Sequence, residues 1–284
     1  MSDLSPLLLD CALWGENDPA NLRWLDPPPA AAVNEARKAL AALEAIDRQS
    51  HVTPHGRKLA ALPLPPNLAH MVVAASGSGQ SEQAAILALL LQERSLGGQG
   101  EDIEARFERF SRERGGRADA ARSLARRIGK MVSNDGNGMP LSVGALIATA
   151  FPDRLAKRRD AKGENWISVM GRGLRLDPAS PLASAEWLAV ADLQGAASGA
   201  RILSAAAITE AEVLALFGKR IEVTTDTRYD ASADRVEVRH RSRLGAIVLA
   251  EGKADRPDQT AVAEALLDVV RASGLSVLPW SDAA

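Results

Sequence analysis

The sequence predicts a multidomain α+β protein. Three observations carry that expectation. Residues 4–131 are rich in strong helix formers with apolar positions in a 3.6-residue rhythm. A glycine- and asparagine-rich run, Ser133–Gly138, then interrupts the chain. Short strand-like segments separated by Gly, Pro and Asp follow it. At 284 residues the chain exceeds one average domain.

Taken in order, Leu4, Leu7, Leu8 and Trp14 fall near one helical face. Asp18-Pro19 caps a short helix through Leu25, and Asp26-Pro27-Pro28-Pro29 stops it, because successive prolines cannot continue a helix. Ala30–Leu43 is a strong helix former. Ala45–Asp47 and His51-Val52 read as two short strands around a polar turn, and Thr53-Pro54 opens a helix to Leu62. Three helices, a small hairpin and one more helix make residues 1–64 a winged-helix pattern.

Residues 65–133 read as a helical bundle: Asn67–Ala75, a nearly all-apolar and therefore central helix from Ser81, and two charged amphipathic helices at Asp102–Arg114 and Arg117–Met131. Residues 139–223 change character. A helix at Val143–Ala150 precedes strands at Leu155–Arg159, Asn165–Met170, Leu174–Leu176, Glu186–Asp192 and Arg201–Ala206, the pattern of a small barrel. Thr209 with Glu212 forms a capping box for the next helix. Residues 224–284 supply a hairpin, Arg235–His240 with Gly245–Ala250, and a helix over Val262–Arg271, read as strands and a helix appended to the barrel.

Composition narrows the classes. With 46% hydrophobic and 25% charged residues the chain is ordinary for a water-soluble globular protein. Its apolar runs are too short to span a bilayer, and Met1–Leu9 lacks the basic start of a signal peptide. Cys11 is the single cysteine, which excludes an internal disulfide and fits a reducing cytoplasm. A formal charge of −2 favours no polyanion by itself, so distribution decides. No G-x-x-x-x-G-K-[ST] loop and no Asp-Glu-x-His run occurs.

Four segments together carry a family resemblance. They are Trp24-Leu25-Asp26-Pro27-Pro28-Pro29; Thr53-Pro54-His55-Gly56-Arg57 with Leu62-Pro63-Leu64 behind it; Ala150-Phe151-Pro152-Asp153-Arg154; and Gly171-Arg172-Gly173 followed by Leu176-Asp177-Pro178-Ala179-Ser180-Pro181-Leu182. In this order the chain resembles the C-terminal helicase-associated region of bacterial DEAH-box ATP-dependent helicases of the HrpB type. The resemblance implies a winged helix, a helical ratchet and an OB-like barrel. It also implies a non-catalytic accessory role, holding single-stranded RNA or DNA and docking on RecA-like motor domains. ATP and Mg would belong to those motors and no cofactor to this chain. The chain departs from the family by lacking both motor domains and by stopping before a further C-terminal region. Met1 directly before an internal family segment favours an excised piece over a split or decayed reading frame.

The candidate site is the densest basic cluster: Arg154, Lys157, Arg158, Arg159 and Lys162, then Arg172 and Arg175. If 155–159 is a strand, Lys157 and Arg159 share a face, while Trp166 offers a stacking surface for bases. The competing reading is a solvated basic edge with Trp166 in the barrel core. A second cluster lies on the bundle helices. Acids balance it over 102–114, but Asp119 is the single acid of 117–130, so Arg122 and Arg126, four apart on one face, are the better phosphate candidates there. Trp14, Trp24, Trp187 and Trp280 lie beside apolar residues and are read as packing. His51, His55, His70 and Cys11 do not form a metal-ligand pattern, and no catalytic constellation accompanies Asp226 and Asp230. A protein-interaction scaffold without nucleic-acid contact is the alternative function.

Overall fold

The computed structural model describes residues 3–132, 136–195, 198–230, 235–253 and 259–274. It is mixed α+β, and it divides into two compact units: 1–168 with 172–216, and 169–171 with 217–284.

The first unit begins with α1 (Ser5–Leu13), α2 (Ala30–Ala42) and α3 (Pro54–Ala60). Between α2 and α3 the expected hairpin contracts to one antiparallel bridge, Ile46 to Val52. Backbone bonds flank it, Asp47 N to His51 O at 2.9 Å and Thr53 N to Ala45 O at 3.0 Å, and the Asp47 carboxylate also holds the turn, accepting from Gln49 N at 2.8 Å and His51 N at 2.9 Å. Thr53 caps α3 by accepting from Gly56 N at 2.9 Å. Gly56 is needed there, since a Cβ at that position would sit 2.0 Å from the Ala45 carbonyl oxygen. Trp14 departs from the packing role expected of it. It falls at the C-cap of α1, where the helix turns away from the core, and is 90% exposed. Leu25 is 99% exposed beside the proline run.

Four bundle helices follow: α4 (Pro66–Ala75), α5 (Ser81–Gln92), α6 (Ile103–Arg112) and α7 (Gly116–Lys130). As its apolar composition requires, α5 is central, with Ala84, Ala85, Leu87, Ala88 and Leu90 fully buried. Of the glycine-rich run, 133–135 lie outside the described residues, while Gly138 N donates to Gly77 O at 2.9 Å. The Gln80 amide then brackets Leu141, accepting from its N at 2.6 Å and donating to its O at 3.0 Å.

Helix α8 (Val143–Ala150) packs on a closed barrel of β1 (Leu155–Arg158), β2 (Asn165–Ser168), β3 (Gly173–Arg175), β4 (Trp187–Gln194) and β5 (Ser198–Ile208). The strand order is β1-β2-β3-β5-β4, closed by the β1–β4 pair; β3 and β5 run parallel and the other pairs antiparallel. Ala156, Trp166, Leu174, Leu188, Val190, Ala200 and Ile202 fill the interior. Glu101 extends the sheet, its carbonyl accepting from Ala205 N at 2.8 Å, with Asp102 bridged in parallel to Ala205. The capping box expected at Thr209 is present: Thr209 N donates to the Glu212 carboxylate at 2.9 Å, and Glu212 N to Thr209 Oγ1 at 3.3 Å, opening α9 (Glu210–Phe217).

The second unit is an antiparallel meander, β6 (Ile221–Asp230), β7 (Arg235–Leu244) and β8 (Ile247–Lys253), with α10 (Gln259–Ser273) packed on β6 and β7. The hairpin and helix match expectation, and β6 is an added strand. The side chains of Asp226 and Asp230, and all of Trp280, lie outside the described residues. Val169, through its carbonyl, accepts from Ala246 N at 2.8 Å, which places 169–171 with this sheet.

Candidate nucleic-acid interface

The barrel register builds a polar row across four strands. Asn165 of β2 pairs with Arg175 of β3, Arg175 with Arg201 of β5, and Arg201 with Gln194 of β4. Arg159 joins the row because its N donates to Asn165 O at 2.8 Å. All five residues are exposed, for a simple reason: their strand neighbours Trp166, Leu174, Ala200 and Ile202 point inward, and alternation turns the row outward. Four inter-strand steps, about 19 Å of path along the curved surface, carry the row around much of the closed barrel. Arg159, Arg175 and Arg201 have no ion-pair partner among the described residues.

The loop carrying Arg159 and Lys162 is pinned from below. Asp160 accepts from Asn165 Nδ2 at 2.6 Å, Asn165 N at 2.9 Å and Glu164 N at 3.1 Å. These donors, the Asn165 side chain foremost, hold the Asp160 carboxyl below its ordinary pKa. Gly163 turns the chain at φ +70°, where a Cβ would meet the Ala183 carbonyl. Trp166 Nε1 donates to Gly163 O at 2.8 Å. Trp166 is therefore a correction: 1% exposed in the barrel core, its ring positions the loop and is closed to stacking with bases.

Several expected cations are engaged in the fold. Lys157 pairs with Glu186 at 3.4 Å and lies 5.0 Å over the Trp187 ring, so it does not share an open face with Arg159. Arg158 Nη1 donates to the carbonyls of Ala183 at 3.2 Å and Ser184 at 3.0 Å. Arg154, although exposed as a residue, donates Nη1 to Ala191 O at 2.6 Å and covers the Phe151 ring at 4.8 Å. Packing there lowers its pKa from the usual arginine value, chiefly by desolvation. Arg172 Nη2 donates to Gly195 O at 2.9 Å, tying the β2–β3 turn to the loop after β4.

On the bundle, Arg122 is a structural residue. Its Nη2 donates to the carbonyls of Phe110, at 2.9 Å, and Glu113, its Nη1 reaches Asp119 at 2.8 Å, and the guanidinium stacks 5.0 Å from the Phe110 centroid. It caps the end of α6. Arg126 is exposed and 3.4 Å from Glu82 Oε1, a surface pair of little strength that a phosphate can displace. Arg201 was not among the expected site residues. Its sequence neighbourhood is apolar, and only the β3–β5 pairing brings it beside Arg175.

Relatives and solved structures similar to this chain include helicases. The chain matches a fragment of a bacterial DEAH-box helicase of the HrpB type. The ATP-dependent RNA helicase HrpB of Escherichia coli K12 is 31% identical over 282 residues, 99% of this chain and 34% of that protein. The crystal structure of the E. coli DExH-box NTPase HrpB superposes with a TM-score of 0.76 at 30% identity, over 99% of this chain and 34% of that one. The pre-mRNA-splicing factor ATP-dependent RNA helicase prp22 of Schizosaccharomyces pombe is 37% identical over 89 residues, 31% of this chain and 8% of the relative. The chain thus spans about a third of the HrpB sequence, and a smaller share of prp22. No protein-family model matches it.

Proposed function

We propose that this chain is the non-catalytic accessory region of an ATP-dependent RNA helicase. It binds single-stranded nucleic acid without sequence specificity and docks on motor domains, in the cytoplasm. The row Arg159–Asn165–Arg175–Arg201 carries this reading. Guanidinium groups on the neighbouring strands β3 and β5, with Arg159 just after β1 and one strand removed from Arg175, give cations of the kind that bind phosphates regardless of base. Residues 1–64 are read as a winged helix and the barrel as an OB fold, whose second and third strands and adjoining loops form such a binding face in other proteins. In this reading docking would take exposed apolar groups such as Trp14 and Leu25 out of water. ATP and Mg belong in this reading to the motor domains. Among the described residues no group of three or more His, Cys, Asp or Glu is placed to hold a metal.

Fluorescence anisotropy with labelled single-stranded RNA, duplex RNA and single-stranded DNA tests the reading. Salt-sensitive binding to either single strand, stronger than to duplex, is expected. Equal binding to duplex, or binding indifferent to salt, rejects it. A nuclease-insensitive pull-down of separately expressed motor domains checks docking and would alone favour the scaffold alternative if RNA binding is absent.

A further inference from the structure

Asn137 is exposed and stands directly before Gly138, the single Asn-Gly pair in the sequence. Such a pair has a chemistry of its own. The amide nitrogen of the second residue can attack the carboxamide carbon of the first, and a glycine there has no Cβ to obstruct the approach. The Asn137 carboxamide has no hydrogen-bond partner among the described residues, so its carbon is open to attack.

The nucleophile, by contrast, is held. Gly138 N donates to Gly77 O at 2.9 Å. The approach is close: a Cβ on Gly136 would lie 2.0 Å, and on Gly138 2.7 Å, from that same oxygen. Three residues on, the Gln80 amide brackets Leu141, at 2.6 Å to its N and 3.0 Å to its O. Residues 138–141 are thus fastened at both ends to the turn between α4 and α5, just before Ser142 caps α8. Closed, the Gly138 N–H points at Gly77 and not at the neighbouring side chain. A strap of exposed, irregular backbone held by so few bonds opens more readily than the helices it joins.

We propose that Asn137 is a site of spontaneous deamidation, restrained by the clasp on Gly77. Gly138 N gives up its proton to hydroxide and bonds to the Asn137 side-chain carbonyl carbon. The bond from that carbon to the amide nitrogen breaks, and ammonia leaves with a proton from water. The cyclic imide then takes up one water and opens at either carbonyl, to aspartate or to isoaspartate. No electrons are transferred, and water is the only co-reactant. Either product adds one negative charge. Isoaspartate also carries the main chain through the side chain, one atom longer. The close approach of Gly136 and Gly138 to Gly77 has no room for that atom, so the clasp is lost and the strap loosens from the bundle.

The test incubates the full chain at mildly alkaline pH, folded in buffer and unfolded in urea, and follows Asn137 by peptide mapping with mass spectrometry that resolves aspartate from isoaspartate. In the folded chain Asn137 should convert before any other asparagine, but roughly tenfold more slowly than in urea, the effect of one hydrogen bond that must open first. Gln80→Ala, which removes the Leu141 bracket, should speed conversion in buffer and leave the rate in urea unchanged. If that variant fails to fold, by circular dichroism, the comparison of buffer with urea decides alone. Aged wild type should melt about 2–4 °C lower than fresh protein, the shift expected when one bond is lost from a unit of this size. Asn137→Gln, whose longer side chain closes the ring poorly, should not age. Equal rates in buffer and urea overturn the restraint. A folded chain unmodified at Asn137 under conditions that convert the unfolded one overturns the site, and an unchanged melting temperature after conversion overturns the loosening.

Discussion

Arg106 offers the sharpest separation between an arginine that holds the fold and one that binds a ligand. Its guanidinium sits where α5 ends, and Nη2 donates to Leu90 O at 3.0 Å, Leu96 O at 3.1 Å and, at the longer distance of 3.4 Å, Glu93 O. A helix end buried without such donors leaves carbonyls unsatisfied. Arg106→Met keeps the apolar stem and removes every donor. Two good charge-assisted bonds at about 1.5–3 kcal/mol each give a gross loss of about 3–6 kcal/mol. The buried charge offsets part of this, because desolvation already depresses the Arg106 pKa and its Nε is unpartnered. A net loss of about 3 kcal/mol is expected, or roughly 6–12 °C in the melting temperature of the first unit. Urea unfolding followed by circular dichroism measures it. A loss under about 1 kcal/mol would refute the reasoning, since the three carbonyls would then be satisfied without Arg106.

Four further outcomes follow from local geometry. Gly56→Ala should cost about 1–3 kcal/mol, because its Cβ collides with the Ala45 carbonyl 2.0 Å away and α3 must shift; chemical denaturation reads this directly. Trp14→Ala, at a position 90% exposed, should change the stability of the isolated chain by less than about 0.5 kcal/mol yet weaken capture of the motor domains. Thr209→Ala should remove about 1 kcal/mol through loss of the capping box, visible as a lower unfolding midpoint. Acid should destabilise the first unit through the His55–His70 pair, whose ring nitrogens are 2.8 Å apart. Burial, then the His55 charge, lowers His70 from 6.5 to about 4, and burial also lowers His55. Between pH 6.5 and 4 the unfolded chain binds the extra proton. Stability is therefore full above 6.5 and falls by about 3 kcal/mol between 6.5 and 4; in pH-dependent melting His70→Gln should remove most of that step and leave the share of His55.

Helices were the legible part of the sequence. α4, α5, α7 and α8 fall within a few residues of the spans that periodicity and capping predict, because each buries a continuous face and ends at a glycine, serine or proline signal. The barrel strands were legible in number and order, though β5 runs from Ser198 where the apolar run alone suggested Arg201. β6 was missed because Thr224, Thr225 and Thr227 interrupt the apolar alternation after Val223. The hairpin at 45–52 is present in short form: Asp47 N donates to His51 O and Thr53 N to Ala45 O on either side of the Ile46–Val52 bridge, and the Asp47 side chain adds to its turn.

The candidate site was legible as composition and not as geometry. A run of basic residues at 154–162 announces itself, but nothing local says that Arg158 will find the Ala183 and Ser184 carbonyls, or Lys157 the Glu186 carboxylate. Arg122 looked like an open cation for the same reason; its carbonyl partners lie on the preceding helix. Arg201 was invisible because cross-strand neighbours are fixed by register, which a single strand does not encode.

The most direct measurement is the salt dependence of single-stranded RNA affinity for the intact chain beside Arg159→Ala/Arg175→Ala/Arg201→Ala. Each phosphate contact on a single strand contributes about 0.7 to the slope of log affinity against log salt. If the row binds the backbone, the triple variant loses up to about 2 units of slope along with affinity, to a similar extent for different base compositions. An unchanged slope in a folded triple variant would contradict the account and move the binding surface off the barrel.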